Sequence, residues 1–299
     1  MDGAPTLDVE ITAQAPLGDV LVVGVADPGV AGLSATDHLV SALETTQVGH
    51  VSTRHLPDLT PFSEGRPRHP IRLYTAPAAD LTILVGEVFL PVGIADQFAD
   101  ALTEWVATTG IDEITVVHGA PFQHAETDHV VSHVATDEYR ARHFDSDGTA
   151  VGDDAAEAGA SGHEDAEAGT SGEDVPGEDT PGDDTPGDDA PGQEIPPLSG
   201  GFFDGVLGEL LVRGMEGDLP PVGVLVTPSH PPGPDLDGAL RLLGSLRTVY
   251  GVDVDETDLR RRADEMRQYY RELSERMQSL RDGEEGRRGE EYPHDRMYM

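Results

Sequence analysis

The sequence ends in Met297, Tyr298 and Met299, so two thioethers, a phenol and a carboxylate stand in a row after a polar stretch. Such a set suits recognition rather than bond-making. Met297 offers apolar area, Tyr298 a rigid ring with a hydroxyl handle, and the Met299 carboxylate a charge for a partner's Arg or Lys. Residues that could make or break bonds are scarcer. Cysteine is absent, which excludes disulfides, thiolate metal ligands and a Cys nucleophile. Ser34 lies in Gly-Leu-Ser-Ala-Thr with His38 four residues on and Asp27 nearby, but Thr36 stands where a nucleophile elbow needs a second small residue. Gly24, Gly29 and Gly32 form a glycine-rich turn that is neither G-x-G-x-x-G nor a Walker loop, and no lysine exists to hold a phosphate. The turn reads as close backbone packing, with a small-anion seat at the next helix N-terminus as the functional alternative. His124, His129 and His133 have the residue type of a zinc site. The segment 129–135 reads as strand, however, where residues four apart lie about 13 Å from each other, too far for one metal. No catalytic, cofactor-binding or metal-ligating residue is therefore assigned.

The elements that would carry these residues can be read from apolar spacing. Residues 20–25 (VLVVGV), 71–76, 81–85 (LTILV), 114–117 and 222–227 (VGVLVT) are short apolar runs expected to be buried strands. Segments 31–43, 92–108, 202–213 and 236–250 have helical spacing; in 92–108 the residues Ile94, Phe98, Ala101, Leu102 and Trp105 recur at threes and fours, placing Trp105 in the core. This alternation predicts an α/β fold with a mostly parallel sheet covered by helices on both faces.

Residues 145–196 interrupt the pattern. The stretch repeats Pro-Gly at 176, 181, 186 and 191 and is dense in Asp and Glu. It has too little apolar surface to offset its ordering entropy and is expected to be a disordered acidic insertion. The organisation that follows is a single discontinuous α/β domain (1–144 and 197–257), this insertion, a C-terminal heptad helix (258–281) and a flexible tail (282–299).

The formal net charge is −38, from 57 acidic residues against 19 basic ones, every one of them Arg. This surface repels nucleic-acid phosphates and anionic membranes. No apolar run approaches the ~18 residues of a membrane span, and the N-terminus lacks the basic and apolar regions of a secretory signal, so a cytoplasmic location is expected. The lysine-free acidic composition resembles that of proteins from extreme halophiles. Self-repulsion at this charge is tolerable when salt screens it. The melting temperature is accordingly expected to rise from dilute buffer to multimolar salt, and superimposable melting curves would contradict this reading.

In the heptad helix, Leu259, Ala263, Met266, Tyr270, Leu273, Met277 and Leu280 are spaced alternately by four and three, with charged residues elsewhere and Asp258 placed to cap the start. A seam this narrow favours helix–helix pairing over packing on a broad face, so it is a candidate for self-association. The polar tail beyond it spans on the order of 20 Å as a coil, enough for its end to reach a pocket on a partner.

The terminal apolar–Tyr–any-residue pattern resembles the tag that proteasome activators insert between neighbouring subunits of the core-particle ring. Five further stretches are similar to the archaeal proteasome assembly chaperone family, second type: GVADPGVAGLSATDHL (24–39), EVFLPVGIADQFADALTEWV (87–106), VVHGAPF (116–122), GGFFDGVLGELL (200–211) and VGVLVTPSHPPGPDLDGALRLLGSL (222–246). The resemblance implies a three-layer α/β/α sandwich of phosphorylase/hydrolase-like topology and homo-oligomers. It further implies a chaperone or ATP-independent activator, not an enzyme, that binds proteasome α subunits through Met297, Tyr298 and Met299. The acidic repeat departs from the family pattern. The competing reading is a small-molecule hydrolase or phosphorylase-like enzyme using the turn at 24–34.

Overall fold

The computed structural model describes residues 6–54, 60–121, 129–145, 194–230 and 233–290, with side chains left out at 6, 53, 54 and 279–290. His124, the acidic residues 146–193 and the terminal Met297, Tyr298 and Met299 lie outside the described residues, as does the side chain of Leu280.

The described elements run β1 (Thr6–Ile11), β2 (Val20–Val25), α1 (Ala31–Ala42), β3 (Thr46–Arg54), β4 (Phe62–Ser63), β5 (Arg66–Pro67), β6 (Ile71–Ala76) and β7 (Leu81–Gly86). They continue with α2 (Ala95–Val106), β8 (Glu113–Ala120), β9 (Ser132–Ala135), α3 (Asp137–His143), α4 (Gly205–Glu216), β10 (Val222–Pro228), α5 (Leu236–Tyr250) and α6 (Thr257–Glu290). Eight strands form one sheet in the order β1-β3-β6-β7-β2-β8-β10-β9. Strand β10, which follows the acidic stretch in sequence, lies between β8 and β9, which precede it.

The sheet is mixed, which corrects the mostly parallel expectation. Strands β7, β2, β8 and β10 are parallel, while β1, β3 and β6 pair antiparallel on one side and β9 on the other. The parallel strands are the continuous apolar runs because both their faces are covered. Alternate residues serve opposite layers. Leu21, Val23, Val116 and Val224 meet Phe98, Leu102, Leu207 and Leu210 of α2 and α4, with Trp105 buried in the same cluster. Val22, Ile83, Val117 and Leu225 meet Ala35, Leu39, Leu242 and Leu246 of α1 and α5. The result is the three-layer α/β/α arrangement.

Two boundaries differ from expectation. Helix α4 starts at Gly205 rather than 202 because Asp204, in extended conformation, is its N-cap, and Phe202 projects outward at 90% exposure. Helix α6 starts at Thr257, so Asp258 sits inside the first turn and pairs with Arg261 instead of capping. Asp255 Oδ1 accepts the Thr257 N–H at 2.9 Å, serving the start of the helix. Among the described residues no helix is long and apolar enough to cross a membrane.

Candidate functional site

Strand β2 ends at Val25 and the chain turns through Asp27, Pro28 and Gly29 into α1. Gly29 has φ 92° and Val30 φ 49°, so the turn passes through the left-handed region. The glycines here allow close approach. A Cβ on Gly24 would lie 2.3 Å from Thr36 Oγ1, one on Gly29 2.0 Å from Ser229 Oγ, and one on Gly32 2.1 Å from Val117 O. Close packing is therefore what the sequence pattern encodes.

That approach brings Asp27 against β8. Asp27 is buried, and its Oδ2 accepts the Gly119 N–H at 2.8 Å and lies 3.3 Å from His118 Nδ1. Burial pushes its pKa up to about 6, while the peptide N–H groups of Gly119 and of Gly32, Ala31 and Val30 at the start of α1 pull it partly back. The chain's own carboxylate thus fills the anion seat that the helix N-terminus offers. Burial pushes His118 down to about 4, against the attraction of Asp204, so the ring is neutral near pH 7. Asp27 Oδ1 and His118 Nδ1 are buried without a hydrogen-bond partner, a costly arrangement for polar atoms.

Both residues line a cavity of about 1270 Å³ outside the carboxyl ends of β2 and β8, the position at which open α/β sheets take ligands. Phe203, Leu207 and Leu211 wall it from the α4 side, and Phe89, Val92 and Met215 are exposed apolar residues at its edge. Among the described residues that line it there is no Arg.

The structure does not assemble the Ser34–His38–Asp27 set. His38 Nε2 is 2.9 Å from the Asp255 carbonyl oxygen, in the loop before α6, while Asp27 faces His118. Nor are the histidines gathered. His129 stacks obliquely on His230 at 5.2 Å, whereas His133, in β9, has Nδ1 2.8 Å from Ile195 O and its ring on Phe144 at 3.9 Å. Among the described residues no group of three His, Asp or Glu could hold a metal. Sequence reasoning missed His118, although an imidazole directly after the apolar pair Val116–Val117 of β8 is the available signal.

Helix α6 divides its heptad seam. Leu259 and Ala263 are buried, Leu259 within the α1/α5 cluster, and Met266 and Tyr270 are half-buried. Arg267 pairs with Asp237 of α5, and Tyr270 Oη sits where a Cβ on Gly233 would stand. Farther along, Leu273 is 40% and Met277 52% exposed, with Tyr269 also exposed.

A three-layer α/β domain extended by one long helix is the class of molecule these features define. Residues 21–274 match the PAC2 family, and the chain belongs to that family. No curated protein sequence matches it. Among solved structures, Pyrococcus furiosus PbaA, an archaeal homolog of proteasome-assembly chaperone, is similar with 17% identity, a TM-score of 0.65, and coverage of 96% of this chain and 100% of its own. Pyrococcus furiosus PbaB, an archaeal proteasome activator, has 16% identity and a TM-score of 0.65 over 90% of this chain and 99% of its own. A PAC2 family protein from Streptomyces avermitilis has 15% identity and a TM-score of 0.55 over 85% of this chain and 95% of its own. At such identities the likeness is one of fold.

Proposed function

We propose that this protein is a proteasome-binding assembly chaperone or ATP-independent activator. In this reading it docks Met297, Tyr298 and Met299 into pockets between α subunits of the core particle. The observation that carries the proposal is the divided seam of α6. Its first half is consumed within the domain, and its second half leaves Leu273 and Met277 uncovered. An apolar helix edge of this kind is what a second copy of the same helix covers in a coiled coil. Self-association would present several termini at once. One terminus of three residues binds weakly, because ordering it offsets much of the contact energy. Several held on one body gain by effective concentration. The names carried by PbaA and PbaB support the choice of partner. With His38 held by Asp255 O, no catalytic role is assigned to Ser34.

The test is co-purification with the proteasome core particle in high salt. Deleting Met297, Tyr298 and Met299 is expected to abolish capture while leaving the melting temperature unchanged. Undiminished capture by the truncated chain would overturn the docking mode.

A further inference from the structure

We propose that the cavity between the β2–α1 turn and α4 binds an amphipathic organic cation: an ammonium or guanidinium group seated against Asp27 and His118, on an apolar or aromatic body lying along Phe203 and Leu207. Three observations converge on this chemistry. The polar groups at the floor are acceptors or neutral. Asp27 is 7% exposed, and its Oδ1, like His118 Nδ1, is buried without a hydrogen-bond partner. A cation held at the end of the cavity beside them offsets the Asp27 charge, whereas an anion adds repulsion. The charge balance is one-sided. Among the described residues Asp204 is the other carboxylate lining the cavity and no Arg lines it, and the chain has no Lys. Finally, the walls are apolar and aromatic. Phe203 presents its ring edge-on to His118 at 6.5 Å, and exposed Phe89 stands at the mouth. Aromatic faces favour cations as well as apolar bodies.

Among the described residues His118 on β8 lies against Asp27, and Asp204 ahead of α4 acts on His118. Asp235, whose N–H reaches Gly29 O, is directed instead to Gly238, His230 and Arg241. Seating a cation requires the ionised carboxylate. Asp27, with its pKa raised to about 6, is mostly ionised at pH 8 and mostly protonated at pH 5. Affinity is therefore expected to be about tenfold lower at pH 5 than at pH 8. His118, near 4, stays neutral across that range and leaves the profile to Asp27.

The experiment is calorimetric titration of the full chain in multimolar KCl with three probes: 4-phenylbutylamine, 4-phenylbutyrate as the same body with opposite charge, and the peptide acetyl-Phe-Arg-amide. A cation probe is expected to bind with Kd of about 1 mM or tighter, the carboxylate not to bind, and Asp27→Asn to weaken cation binding at least about tenfold. Asn retains an oxygen for the Gly119 N–H, and the pH profile of the unmodified chain reads the same group without any substitution. Tighter binding of the free amine assigns a small-molecule source for the cation, and tighter binding of the peptide a protein source. Equal binding of amine and carboxylate, a flat pH profile, unchanged affinity in Asp27→Asn, or no saturation by either cation below about 10 mM would each overturn the assignment. Proteasome capture by the tail does not enter these readouts, so the two proposals fail separately.

Discussion

Glu87→Ala is expected to destabilise the fold by about 3 kcal/mol, at the low end of the cost of breaking a buried ion pair because Glu87 keeps some exposure. Arg72, in β6, has only 1% of its surface exposed, an unusual place for a guanidinium. It is tolerated because Nε and Nη1 are both paired. Nη1 donates to Glu87 Oε2 at 2.9 Å and to His69 O at 3.0 Å, Nε donates to Tyr74 Oη at 2.8 Å, and the Tyr74 ring lies 5.9 Å from its central carbon. Removing the carboxylate leaves a buried positive charge with neutral acceptors only. At this size the cost corresponds to a fall in melting temperature of roughly 6–12 °C, measured by thermal unfolding in concentrated salt, which screens a buried pair little. Arg68→Ala removes the same carboxylate's more exposed partner and should cost under about 1 kcal/mol. The double change Glu87→Ala with Arg72→Met should recover most of the loss, since it removes both charges. Equal melting of Glu87→Ala and the unmodified chain would mean that the pair contributes nothing.

The layered fold was legible because its central strands are uninterrupted apolar runs. The antiparallel half was not, for reasons visible in particular residues. Strand β1 carries apolar residues only at alternate positions, Leu7, Val9 and Ile11, as a strand with one covered face does. In β3 the alternation is broken by a register shift between Gln47 and Gly49, so no period-2 signal survives. One miss was avoidable. Only residues 77–80 separate β6 from β7, with Asp80 at φ 55°, and a connection that short closes an antiparallel hairpin, never a parallel crossover.

The site was half legible. The glycine turn marked where the backbone comes close, and Asp27 was singled out within it. The histidine considered there was His38, because it stands four residues after Ser34 on the helix, with Asp27 nearby in sequence. The true neighbour, His118, is 91 positions on and arrives only because β8 pairs beside β2. Spacing within one element carries no information about such a pairing. The heptad of α6 shows the converse case, in which the period was right but one seam meets two environments. Leu259 and Ala263 are held by the domain and Leu273 and Met277 are left over, a distinction that depends on where α5 begins at Leu236, since Arg267 already meets Asp237 and Tyr270 reaches Gly233.

The glycine turn supplies the second large effect, Gly32→Ala. In most helices this change is favourable by about 1 kcal/mol, because alanine restricts the unfolded chain and suits the helix. At Gly32 the added methyl would lie 2.1 Å from Val117 O and 2.9 Å from Val117 C. Val117 belongs to β8, which is paired on both sides, by β2 and by β10, so its carbonyl has nowhere to retreat. The helix must move instead. Thr36, one turn on, already fills the space beside Gly24, and moving α1 separates its first N–H groups from the Asp27 carboxylate. Overpacking of this kind costs about 1–3 kcal/mol, and the backbone contact places it at the upper end. The net expectation is a loss of about 2 kcal/mol, or roughly 4–8 °C in melting temperature. Gly244→Ala in α5, where a Cβ would meet nothing within 4 Å, is the matched control and should be neutral or stabilising. If the two variants melt alike, α1 does not sit against β8 as closely as the glycines imply. The turn would then no longer place Asp27 beside His118, and the floor of the cavity would need a different explanation.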